Sequence, residues 1–101
     1  MKMLLTVDIP HEPFNSLVRS GQAGAILERI MDGIRPEAAY FTEQDGHRCG
    51  LFVVEVAKPS DVPALAEPFF LSFNADCKFR IVMTPADLQQ AGLADIGKRW
   101  G

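Results

Sequence analysis

The stretch Ala38–Val56, AAYFTEQDGHRCGLFVVEV, decides the fold. It contains two runs rich in aromatic and β-branched residues, separated by Asp45-Gly46. A type I′ turn needs positive φ at both central positions, and an Asp-Gly pair supplies it, so the stretch reads as a β-hairpin. Its first strand covers Ala38 to Gln44 and its second runs from about Arg48 to Val56. The continuous apolar run of the second strand predicts a central place in a sheet, with both faces covered.

Upstream, Met1 to Ile9 alternates Met, Leu, Val and Ile with polar residues and predicts a first strand. Pro13 suits the first turn of a helix, where its missing N–H costs nothing. That helix is expected to run to about Gly33, with Ala23, Ile26, Leu27, Ile30, Met31 and Ile34 facing the core. Gly21 and Gly24 either permit close approach to the sheet or mark a break in it.

Downstream, Ser60-Asp61 is the expected cap of a second helix. Its residues Val62, Leu65, Ala66, Phe69, Phe70 and Phe73 form a helical stripe, with Pro68 expected to kink or divide it. The group Phe69, Phe70 and Phe73 is assigned to the core. In the next strand Cys77, Phe79, Ile81 and Met83 point one way, while Asp76, Lys78, Arg80 and Thr84 point the other. Such alternation marks a half-buried strand at a sheet edge. Thr84-Pro85 caps a last helix, loosened near Gly92 and expected to be anchored by Trp100.

The element order β-α-β-β-α-β predicts a single ferredoxin-like α+β domain over residues 1–101. Its antiparallel sheet has the order 4-1-3-2, with both helices on one face and an added C-terminal helix. The other face, with Leu4, Leu51 and Val53, then lacks cover. Either a second copy covers it, forming a dimeric α/β barrel, or the C-terminal helix does. The same topology gathers Asp8, His11, Glu12, His47, Arg48, Asn74 and Asp76 at one rim. Cys49 and Cys77 open strands that have another strand between them, about 9–10 Å apart, so both are expected to be free thiols.

The net charge is −3 and no Lys/Arg cluster exists, which argues against a nucleic-acid partner. No apolar run approaches the roughly 20 residues of a bilayer helix. Met1 to Ile9 reads as a strand rather than a secretion signal, so a cytoplasmic location is the default.

Two groups of side chains are candidates for chemistry. At the rim, His11 and His47 with Glu12 offer proton transfer, or else are solvated loop residues. Metal-binding spacings such as H-E-x-x-H or CxxC are missing, so no metal is expected. On the open face, Tyr40, Thr42, Lys78 and Arg80 are expected to line a cleft. There Arg80 would anchor an acidic molecule and Glu55, a charge interrupting an apolar strand, would act as acid or base. The competing reading makes Lys78 and Arg80 edge protection and Glu55 a paired strand-end charge.

The run Tyr40 to Arg48, the strand Leu51 to Val56, Ala66-Glu67-Pro68-Phe69-Phe70 and Lys78-Phe79-Arg80 resemble small bacterial proteins of the dimeric α/β-barrel superfamily, near its muconolactone-isomerase-like and YciI-like branches. The resemblance implies the fold and a homodimer. Activities in that superfamily include isomerases, cofactor-independent monooxygenases, haem-degrading enzymes and ligand sensors. The His–Asp pair typical of the YciI-like branch has no evident counterpart in the residue order.

Together these features predict a homodimer binding a small acidic or aromatic molecule, with His11 or Glu55 as acid/base. Arg80, Tyr40, Thr42 and His47 would contact the ligand, and no cofactor is expected. The alternative is a non-catalytic binding or interaction module whose open sheet serves assembly alone.

Overall fold

The computed structural model describes residues 1–101. Four strands, β1 (Lys2–Ile9), β2 (Ala38–Gln44), β3 (His47–Glu55) and β4 (Asp76–Ile81), form an open sheet of order β2-β3-β1-β4. Every neighbouring pair is antiparallel. Five helices complete the chain: α1 (His11–Arg19), α2 (Ala23–Ile34), α3 (Val62–Phe73), α4 (Pro85–Gln90) and α5 (Leu93–Trp100). The architecture is α+β with element order β-α-α-β-β-α-β-α-α.

The hairpin turn follows from its residues. Asp45 (φ 52) and Gly46 (φ 81) both take the left-handed conformation, as a type I′ turn demands. The Gly46 amide donates to the Glu43 carboxylate at 3.0 Å.

The core lies between the helices and one sheet face. Leu5, Val7 and Ile9 of β1 and Phe52 and Val54 of β3 meet Phe14, Ile30, Ile34, Leu65, Phe69 and Phe73 from the helices. Phe52, Phe69 and Phe73 are fully buried, each contributing on the order of 2–3 kcal/mol of apolar burial. The Phe52 ring stacks on Phe69 at 5.4 Å, and Phe14 meets Phe73 at 5.0 Å.

Several expectations are corrected. The long first helix is two helices, because Gly21 takes φ 77 and interrupts the α-helical hydrogen bonds between α1 and α2. Pro68 leaves α3 continuous over Val62–Phe73. Ser60 caps nothing; a 3₁₀ turn, Pro59–Asp61, precedes α3, and the Asp61 carboxylate accepts from the Lys58 amide at 3.3 Å. Phe70 lies on the outer side of α3 and is 39% exposed. β3 is central, but only one of its faces is covered, since Leu51 and Val53 are half-exposed.

The C-terminal segment departs furthest from expectation. Gly92 (φ 71) separates α4 from α5, and no residue of either helix is buried. Trp100 is 77% exposed and anchors nothing within the chain; the Arg99 guanidinium lies over its ring at 5.4 Å. The C-terminal helices therefore do not complete the core. No helix is long and apolar enough to cross a membrane.

Candidate functional site

Strand registers fix what the open face presents, because directly opposed residues project to the same side. One row across the sheet holds Thr42, Cys49, Asp8 and Asp76. The next holds Tyr40, Leu51, Thr6 and Lys78, and a third holds Ala38, Val53, Leu4 and Arg80. Glu55 faces Lys2 in a fourth row at the far end. Tyr40, Thr42, Glu55 and Arg80 thus share this face, but each stands in a different row.

The first row adjoins the rim, where the loop after β1 brings His11 to the start of β3. The His11 and His47 rings lie 4.7 Å apart, tilted by 43°. A small concavity of about 130 Å³ beside them is lined by Asp8, Ile9, Pro10, His47, Asn74 and Asp76. A histidine and an aspartate therefore line one hollow, a juxtaposition that the chain order conceals.

Asp8 is the unusual member. One carboxylate oxygen, Oδ1, is buried with no N–H or O–H partner. The other lies 3.7 Å from the Lys78 ammonium, which reaches across from the adjacent row. Lys78 is largely exposed, so this ion pair is worth at most about 1 kcal/mol. Beside Asp8, the buried Cys49 has its thiol pKa pushed up, first by burial, then by a weak hydrogen bond from its S–H to the Asp8 carboxylate and by that group's charge. Cys77, on the core face, is pushed up to about 11 by burial and by Asp76. Both cysteines are free, and neither is poised as a thiolate nucleophile.

Two rim residues turn to structural work. The Glu12 carboxylate accepts from the Ser16 hydroxyl at 2.7 Å and the Ser16 amide at 3.2 Å, which hold its pKa down. Arg48 donates to the Asn15 side chain at 2.8 Å and lies over the Phe14 ring at 4.6 Å. No three His, Cys, Asp or Glu side chains converge as a metal-ligand group.

Glu55 stands at the other end of β3 from His47, roughly 27 Å away at about 3.3 Å per residue. It is exposed and ion-paired with the Met1 amino group. Arg80 is exposed on edge strand β4, without an ion-pair partner. The largest concavity, about 710 Å³, lies elsewhere, between α2 and α3. It contains none of the side chains nominated from sequence.

The signal for Asp8 was present but faint: a charge at the end of an apolar strand. Only the register with Cys49 and Asp76 gives it meaning. Comparison with family models, with curated proteins and with solved structures finds no match.

Proposed function

We propose that this chain is a ferredoxin-like domain whose open sheet face pairs with that of a second copy as a dimeric α/β barrel. The cleft between the sheets binds a small acidic molecule with an apolar or aromatic body. Leu4, Leu51 and Val53 form the apolar floor, Arg80 and Lys78 supply the cationic anchors, and Tyr40 and Thr42 flank them. At the rim end, Asp8 with His47 and His11 provides acid–base chemistry of the kind isomerases and cofactor-independent monooxygenases use.

The observation that carries this reading is the buried Asp8 oxygen, which no N–H or O–H group reaches and beside which only the weak S–H donor of Cys49 lies. A buried acceptor without a strong donor costs up to about 1–3 kcal/mol, and such a group in a native fold calls for an explanation. A ligand or substrate donor would satisfy it. Asp8 is also better placed than Glu55 to cooperate with the histidines, since Glu55 occupies the opposite end of the face.

The test is a panel of small aromatic and aliphatic carboxylates, with matching amines as controls, scored by thermal shift and calorimetry. Carboxylates should stabilise the wild type, and Arg80→Ala should abolish the shift while remaining dimeric. Asp8→Asn should weaken binding without lowering the unliganded melting temperature. Equal binding by wild type and Arg80→Ala would overturn the anchor. Dimer collapse in both Arg80→Ala and Glu55→Ala, with no ligand effect, would instead favour a non-catalytic assembly module.

A further inference from the structure

The chain exposes 6988 Å² of surface, whereas a compact monomer of 11.1 kDa exposes about 5,650 Å². Its radius of gyration is 17.1 Å, with a long axis of 60 Å, against about 13 Å for a compact domain of this length. The segment 85–101 contributes to both excesses, since it forms an arm in which no residue is buried.

The arm is not featureless. α5 sets Leu93, Ile96 and Trp100 at i, i+3 and i+7, one apolar stripe, with Asp95 and Lys98 on the other side. These three are 57%, 45% and 77% exposed. Helices of 6 and 8 residues are too short to persist in water by themselves. The stripe needs cover, and this chain's own domain does not give it.

We propose that the arm of each copy clasps a second copy of the same chain in a reciprocal, two-fold exchange. The surplus surface supports this partner. About 1,300 Å² per chain is surface that a compact fold of this size would hide, and two exchanged arms can cover an amount of the order that a stable homodimer buries. The point of departure supports it too. The arm leaves edge strand β4 near the open-face residue Lys2, whose charge reaches Asp87 in α4. A copy seated on the open face lies within the arm's span of about 20 Å. A self-complementary surface also explains why one chain carries two uncovered apolar surfaces, since each copy supplies what the other lacks. The location of the partner rests on the barrel reading of the open face; the need to cover the stripe does not.

The sole tryptophan, Trp100, reports the result directly. Sedimentation of the 101-residue chain is followed together with Trp100 emission across a dilution series. The wild type should sediment as a dimer with blue-shifted emission that moves to the red as the dimer dissociates. Ile96→Asp should raise the dimer Kd by at least about tenfold and leave the emission red, with the far-UV signature of the sheet retained. A dimer with fully solvated Trp100 emission, or unchanged dimerisation by Ile96→Asp, overturns the clasp and leaves the open-face barrel standing. A monomer at every concentration overturns both.

Discussion

The imidazole rings of His11 and His47 lie 4.7 Å apart, although two helices and a strand separate them in the chain. Both residues are exposed, so their meeting is a consequence of topology rather than of packing. His11→Ala should therefore change the unfolding free energy by no more than about 0.5 kcal/mol, as at other surface positions. Urea denaturation checks this; a loss well beyond that range would mean that His11 holds the rim together.

Gly50 and Gly24 should respond to alanine in opposite directions. A Cβ on Gly50 would stand 2.6 Å from the Phe52 ring, which is fully buried against Phe69 and has nowhere to move. Gly50→Ala should cost about 1–3 kcal/mol by overpacking. Gly24 lies in α2 with nothing within 4 Å of the new atom, so Gly24→Ala should gain up to about 1 kcal/mol. Denaturation midpoints of the two variants decide the matter, and a neutral Gly50→Ala would refute the close approach.

The thiols give a pH-dependent prediction. Burial raises both cysteine pKa values, that of Cys77 to about 11, so the native protein should react slowly with a disulfide reagent at pH 8 and rapidly once unfolded. The unfolded thiol ionises near its ordinary value of 9.0 while native Cys77 stays protonated. Stability supplied by the neutral thiol is therefore complete below pH 9 and falls as pH rises towards 11. Cys77→Ala should flatten that part of the stability curve. Rapid labelling of the folded wild type at pH 8 would contradict the burial argument.

Asp8 and Lys78 should prove weakly coupled. Their 3.7 Å contact is with an exposed ammonium, so a double-mutant cycle with Asp8→Asn and Lys78→Ala should return less than about 1 kcal/mol. Asp8→Asn alone should be neutral or stabilising, because it removes charge from a buried oxygen whose nearest donor is only the weak Cys49 thiol. A large destabilisation would show that the carboxylate is structural.

Much of this architecture was legible from local chemistry. The Asp45-Gly46 turn, the alternation from Asp76 to Arg80 and the Gly92 break all act through residues next to one another and appear where expected, whereas Ile81, expected on the half-buried side, is 62% exposed. What escaped depended on contacts between distant segments. Phe69 lies at the centre of the helical stripe and Phe70 at its edge, about 100° round the helix, and only the packing against the sheet decides how far such an edge position is covered. Trp100 has the size of an anchor, yet it is 77% exposed and packs into no core of this chain. At the site, the end that His11 and His47 share followed from topology, whereas the buried oxygen of Asp8 required the register with Cys49 and the reach of Lys78.

The placement of the single tryptophan on the arm also governs how this protein will appear in a spectrometer. The core holds phenylalanine but no tryptophan, and the only tyrosine, Tyr40, is 67% exposed. A fluorescence melt will thus follow the surroundings of the arm, while circular dichroism follows loss of the sheet. Two transitions at different temperatures would ordinarily be taken as a folding intermediate. Here they would arise from a fully native domain whose one strong chromophore lies outside it.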